Sequence, residues 1–260
     1  MKNELKIALL QSDLVWENPK QNRINFTKKI EAISEAVDLI VLPEMFTSGF
    51  TMNAKGVSET MDGETMRWLK GLALKTNAAI TGSLAISENN TFYNRSLFVH
   101  PSGKIDTYDK RHTFTLAGEH KVYTAGKTNT IVDFRGWKIS LLVCYDLRFP
   151  VWARYTQNYD LLIYVANWPK PRINAWDALL KARAIENMSY CIGVNRVGLD
   201  NNSHEYPGHS ACYDVLGEKL SQIKPNIETT EIITLEKTEI KKYRDKLNFL
   251  NDRDNFSLLG

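Results

Sequence analysis

The chemistry this sequence offers sits at the ends of apolar runs. Cys144 closes Ile139-Ser140-Leu141-Leu142-Val143 and precedes Tyr145-Asp146-Leu147-Arg148-Phe149-Pro150. A thiol at the end of a buried strand, on a sharp turn, is held exposed at the sheet edge. The backbone N–H groups that follow it then face the reacting centre as oxyanion donors. A lone cysteine more often serves as a small buried hydrophobe, and Cys191 and Cys212, inside strand-like runs, read that way. Glu44 follows Asp38-Leu39-Ile40-Val41-Leu42-Pro43, and Lys110 follows Ile105-Asp106-Thr107-Tyr108-Asp109. Each alone reads as an ordinary rim charge. Charges beside apolar strands are costly unless paired. Together, a base, a cation and a thiol form the inventory for cleaving an amide through a thioester.

Other chemistries find less support. His100, His112, His120, His204 and His209 could each pair with Cys144 as in a papain-like protease, but none lies in a local signature for it. There is no His-Glu-x-x-His and no paired Cys-x-x-Cys, so no metal is expected. Gly126-Lys127-Thr128 imitates the end of a phosphate-cradling loop, yet Lys121 stands where its first glycine belongs. No nucleotide and no other cofactor is expected. Phe46, Trp168 and Trp176 could wall a compact pocket, or pack a core.

These groups need a frame. The chain has 260 residues, 24% charged and 43% hydrophobic, with 14 Gly and 8 Pro. That composition suits one large α/β domain. Short apolar runs at 5–10, 38–42, 78–84, 96–100, 139–143, 161–165 and 191–194 predict buried strands. After Pro19, the spacing of Phe26, Ile30, Ile33 and Val37 predicts one helical face. A second helix opens at Asp62-Gly63-Glu64, with Met66, Leu69 and Ala73 inward and Arg67 and Lys70 outward. A third covers 174–188, with Trp176, Leu180 and Arg183 or Ala184 on its stripe. Residues 91–110 read as a hairpin. No linker or repeat divides the chain, so residues 1–260 read as a single domain with a charged arm at 236–260.

Thirty-three basic against thirty acidic residues leave a net charge of +3 without a basic block. Nucleic acid and anionic membranes both need clustered positive charge and are not expected as partners. The N-terminal apolar run is interrupted by Glu4 and Lys6 and is too short for a signal peptide. Three cysteines at wide spacing form neither a disulfide framework nor a zinc pattern. A reduced, cytoplasmic protein is the expectation.

Three separated segments carry a further likeness: Leu42-Pro43-Glu44-Met45-Phe46, Tyr108-Asp109-Lys110-Arg111-His112, and Val143-Cys144 through Pro150. In this order the sequence resembles the nitrilase (carbon–nitrogen hydrolase) superfamily, and most closely the bacterial omega-amidase branch, which acts on 2-oxoglutaramate and related 2-oxo acid amides. Tyr164-Val165-Ala166-Asn167-Trp168-Pro169 and Ala182-Arg183-Ala184-Ile185-Glu186-Asn187 extend the likeness, which runs from Lys6 to Phe256. The resemblance implies a four-layer αββα sandwich, two mixed sheets face to face with helices outside. It also implies a homodimer paired through helical faces. The 236–260 arm itself, with Tyr243, Phe249 and Phe256 spaced among charges, reads either as a solvated helix and arm or as one that docks on the subunit partner.

Glu44, Lys110 and Cys144 fall on the family's catalytic Glu-Lys-Cys positions, and Glu119 matches a second glutamate beside that triad. Nitrile-cleaving members commonly carry Cys-Trp-Glu where this chain has Cys144-Tyr145-Asp146, which favours an amide. The implied roles are a Cys144 thiolate, its pKa lowered by Lys110, an oxyanion held by Lys110 and the Tyr145 backbone N–H, and Glu44 as proton carrier. Arg148 stands near a basic residue that binds a substrate carboxylate in related carbamoyl-cleaving enzymes, or it pairs with Asp146 to shape the turn. Hydrolysis of another small amide or a carbamoyl group, acyl transfer from the same thioester, and a non-enzymatic scaffold are the alternatives. Three reactive residues in place weaken the last.

Overall fold

The computed structural model describes residues 2–258; residues 1, 259 and 260 of the expected single domain and arm lie outside them. The chain opens with β1 (Glu4–Gln11), buried almost throughout. Leu5, Ile7 and Leu9 join one apolar cluster, and Ala8 and Leu10 join another on the opposite face. Burial on both faces is why this strand reads as a continuous apolar run.

Helix α1 (Pro19–Glu31) starts where Asn18 accepts a hydrogen bond from Gln21 N at 3.0 Å and Pro19 fills the first turn. It stops earlier than the spacing of Ile33 and Val37 predicts. Those two side chains still pack on the same core, but from a non-helical connection. The chain must reach β2 (Leu39–Val41), whose start is pinned beside β1: Asp38 N donates to Lys6 O at 2.7 Å, and its carboxylate accepts from Lys6 N at 2.9 Å. Periodicity there reports burial, not helicity.

After the single turn α2 (Ala54–Val57), α3 (Glu64–Thr76) buries Met66, Leu69 and Ala73 and exposes Arg67 and Lys70, as its sequence predicts. The long hairpin of β3 (Ala79–Glu88) and β4 (Thr91–Val99) leads into β5 (Ile105–Asp109). The second sheet begins with β6 (Ile131–Phe134) and β7 (Trp137–Val143). It continues through α4 (Pro150–Ala153), β8 (Leu161–Ala166), α5 (Ile173–Asn187) and β9 (Tyr190–Asn195). A small hairpin, β10 (Val197–Leu199) with β11 (Glu205–Pro207), precedes β12 (Ala211–Tyr213), β13 (Thr229–Glu236) and α6 (Lys237–Leu247).

The first sheet runs β13-β1-β2-β3-β4-β5 and the second β12-β9-β8-β7-β6. Both are mixed, with β1-β2-β3 and β7-β8-β9 parallel and the outer strands antiparallel. Leu5, Ile7, Val41 and Phe98 of the first sheet share one core with Val132, Ile139, Leu141 and Ile163 of the second. Helices α1 and α3 cover the outer face of the first sheet and α5 that of the second. This is the αββα sandwich of the sequence reading. Strand β13 was not legible there; it pairs antiparallel with β1, Ile233 opposite Ile7. What matters for chemistry is that β2, β5, β7 and β8 all end at the same side of the sandwich.

Candidate active site

Cys144 follows β7 with φ +46°, and Met45, next to Glu44, has φ +44°. Left-handed backbone at a residue with a side chain costs about 1–3 kcal/mol and persists only where the surroundings hold it. Ser83 Oγ accepts from Met45 N at 2.9 Å. Beside Cys144, the buried Asp146 carboxylate does the holding. It accepts from Val143 N at 3.0 Å, His112 N at 2.9 Å, His112 Nδ1 at 2.8 Å and Tyr108 Oη at 2.8 Å. Arg148 takes no part in that set; its guanidinium lies 5.0 Å over the Trp168 ring. Lys110 is fixed at the end of β5, its N donating to Asn94 O at 3.0 Å and its carbonyl accepting from Gly126 N at 2.9 Å. A Cβ at Gly126 would come within 2.0 Å of Asp109 O, so this glycine serves close backbone packing, not a phosphate.

The Lys110 ammonium donates to Glu44 Oε1 at 2.9 Å and to Glu119 Oε2 and Oε1 at 2.9 and 3.1 Å. Asn94 Nδ2 bridges the same carboxylates, at 2.8 Å to Glu44 and 3.1 Å to Glu119. The other Glu44 oxygen accepts from Asn167 N at 2.8 Å, which ties the two sheets together across the site. All three charges are buried. Removing them from water is costly unless every lone pair and proton is met, and here the amides of Asn94 and Asn167 supply the missing donors. Burial works against the charge on Lys110, but Glu119 and Glu44 outweigh it and hold its pKa above the ordinary lysine range. Burial and Glu44 raise the pKa of Glu119, with Lys110 opposing.

The Cys144 thiol feels opposing charges. The half-buried thiol points at the Asn167 carbonyl, 3.9 Å away; its surroundings and the negative charge of Glu44 push its pKa up, and Lys110 pulls it down. The Glu44 carboxylate and the Cys144 thiol thus act on one another in the same site. Such a pair can transfer the proton as sulfur attacks.

Cys144 and Lys110 open onto a cavity of about 570 Å³, together with Tyr145, Asn167, Trp168 and Arg148. Two expected wall residues are elsewhere. Phe46 is fully buried on the helix side of the first sheet, edge-on to Phe26 and near Trp68. Trp176 is buried behind Trp168 and donates its Nε1–H to His209 O at 2.9 Å. Both are core packing. Four of the five histidines have other partners: His112 stacks on Phe149 at 3.7 Å, His100 pairs with Asp106, His204 with Asp200 and His209 with Asp177. Among the described residues no group of His, Cys, Asp and Glu is arranged to hold a metal ion.

The family model for carbon-nitrogen hydrolases matches residues 6–245. The chain belongs to the carbon–nitrogen hydrolase family. As a family member it is an enzyme that hydrolyses carbon–nitrogen bonds. It is 47% identical to the omega-amidase YafV of Yersinia enterocolitica, over 98% of this chain and 99% of that one. To the 2-oxoglutaramate amidase of Bacillus subtilis it is 35% identical, over 91% and 93%. Its fold matches XC1258 of Xanthomonas campestris, a superfamily protein with an arsenic adduct in its active site, at a TM-score of 0.96 and 39% identity over 99% and 100%.

In this carbon–nitrogen hydrolase, Asn94 and Asn167 are the site residues that sequence reasoning missed. Asn94 sits inside β4 and is buried there, and a buried amide must find polar partners. In the sequence it stands beside Arg95 and Ser96, so its burial was not legible there. Asp146, Tyr108 and His112 lay within the family-like segments, but their joint role in holding the Cys144 turn needed the three-dimensional arrangement.

Proposed function

We propose that this hydrolase cleaves the terminal amide of a small 2-oxo acid amide, of the 2-oxoglutaramate type, to the acid and ammonia. Cys144 Sγ attacks the amide carbon while Glu44 takes the thiol proton. The oxyanion is held by the Lys110 ammonium and the Tyr145 backbone N–H. Glu44 passes the proton to departing ammonia, leaving an acyl-thioester, and then activates the water that releases the acid. Glu119 fixes Lys110 from its far side. Arg148 takes the substrate carboxylate and Trp168 supports it; Phe46 and Trp176 have no direct role.

The observation that carries this reading is the Lys110 ammonium, clamped between two buried carboxylates beside the Cys144 thiol, on the floor of a cavity whose wall presents the Arg148 guanidinium. The names of the similar proteins from Yersinia enterocolitica and Bacillus subtilis support the same substrate class. Ammonia release from 2-oxoglutaramate and from glutamine tests it. The two amides differ at the 2-position, where glutamine brings an ammonium toward Arg148 and Lys110. A kcat/KM at least ~10²-fold higher for 2-oxoglutaramate is expected, since ~1.4 kcal/mol is a factor of ten and like-charge contacts cost several kcal/mol. Equal efficiency, or preference for glutamine, rejects the reading.

The same proposal takes residues 1–260 as one catalytic unit that pairs as a homodimer in the cytoplasm, with the 236–260 arm at the interface. Exposed Ile185 on α5 and exposed Phe249 and Phe256 in the arm support the pairing. No helix among the described residues is long and apolar enough to cross a membrane. Light scattering at micromolar concentration tests the dimer, and a monomer would reject it.

A further inference from the structure

We infer that Arg172 is a second anion-reading residue of the substrate cavity, acting with Arg148 on the carboxylate and 2-oxo oxygens of the substrate. The inference rests on the 2-oxo acid reading above and adds a residue to it. Arg172 ends the short turn Lys170–Arg172 that leads into α5. The two cations of this turn have different partners. Lys170 pairs with Glu205 at 2.8 Å on the surface. Arg172 lines the cavity, half-buried, with its guanidinium 5.1 Å over the Phe114 ring.

The wall around it is one connected unit. The Arg172 carbonyl accepts from Trp168 Nε1 at 2.8 Å, and the Trp168 ring carries the Arg148 guanidinium. Stacking on a ring occupies a guanidinium's face and leaves its edge N–H donors free. The carboxylates that share the cavity are already engaged. Glu17 accepts from Asn53 Nδ2 at 2.9 Å and from Thr51. Asp200 accepts from Tyr206 Oη at 2.9 Å, His204 N at 2.9 Å and Asn202 N at 2.8 Å. Among the described residues, then, both guanidiniums on this wall stand without a carboxylate. One fork grips a carboxylate through two parallel hydrogen bonds. A 2-oxo acid presents a third oxygen beside that carboxylate, and a second fork on the same wall supplies the donor.

Two measurements test this. Steady-state kinetics on 2-oxoglutaramate compare wild type with Arg172→Gln and Arg172→Lys. Calorimetry measures binding of 2-oxoglutarate to Cys144→Ala, alone and combined with Arg172→Gln. The expected result is a rise in KM of about tenfold or more in Arg172→Gln, the ordinary size for a lost charged hydrogen bond, exceeding any fall in kcat. The 2-oxoglutarate Kd should weaken by a similar factor, and Arg172→Lys should recover part of the loss. Unchanged KM and Kd, or a loss confined to kcat, overturns the inference. If wild type does not turn over 2-oxoglutaramate, the proposed function falls and the Kd comparison still decides: weakening in the Arg172 variant upholds the anion site, and no weakening, or no binding to Cys144→Ala at all, overturns it.

Discussion

The floor and the wall of one cavity are built on opposite plans. On the floor, Glu44, Lys110 and Glu119 are buried and interlocked, with Asn94 and Asn167 completing their hydrogen bonds. On the wall, Arg148 and Arg172 rest on aromatic rings with their donors uncommitted. A preorganised floor costs no reorganisation when charge develops in the reaction. In the proposed reaction, an uncommitted wall leaves its binding energy for the substrate anion. Chemistry is fixed below and selectivity is held open above.

If the floor is the reacting part, its variants should show the largest losses. Cys144→Ala should abolish ammonia release while the protein stays folded, because the change removes the nucleophile and little volume. Glu44→Gln keeps shape and loses basicity, so a fall of about 10²–10⁴ is expected. Retention of more than about a tenth of wild-type rate in single-turnover assays would move the base elsewhere. Lys110→Met should reduce the rate by about 10²–10³ and also cost about 3–5 kcal/mol of stability, since it leaves two buried carboxylates without their cation. Urea unfolding reads the second effect. A normal midpoint would mean that the interlocked floor is not a stability element.

A subtler effect separates thiol from thiolate. The folded Cys144 pKa lies above the reference value of 9.0, so as pH rises past that value the unfolded chain loses its proton first. Stability must therefore decline with pH above about 9. Cys191 and Cys212 are shifted the same way, so the decline in wild type should exceed that in Cys144→Ala. Equal slopes would restore a preformed thiolate. The smallest effect falls on Phe46→Leu, which removes ring contacts with Phe26 and Trp68 outside the cavity. About 1–2 kcal/mol of stability should go, the ordinary cost of a smaller side chain in a buried site, with KM for 2-oxoglutaramate shifted less than in Arg172→Gln. A KM change of tenfold would place Phe46 back against substrate.

The same contrast explains what was legible in the sequence. Glu44, Lys110 and Cys144 stood out because a charge or thiol at the end of an apolar run is conspicuous in one dimension. Asn94 and Asn167 did not, since an amide within or beside a strand fits many local roles. Phe46 and Trp176 carried the reverse error: large aromatic side chains near the reactive segments looked like walls, but the turn after β2 and the helix α5 point them into packing. The strands with two covered faces, such as β1, announced themselves as unbroken apolar runs. Strand β13 sits at the rim of its sheet with only part of its length buried, and its partner lies at the far end of the chain.

That last pairing has a consequence for how the molecule comes to be made. Asn3 Nδ2 donates to Thr238 Oγ1 across a separation of 235 residues, and Glu4 faces Glu236 at the end of the β1–β13 ladder. During synthesis, then, that edge of β1 stays unpaired until residues up to Glu236 have emerged from the ribosome. Contacts of such long range are slow to form, and an open strand edge in the interval is a template for pairing with another chain. Among the ladders of this sandwich, it is the one whose second strand is synthesised last.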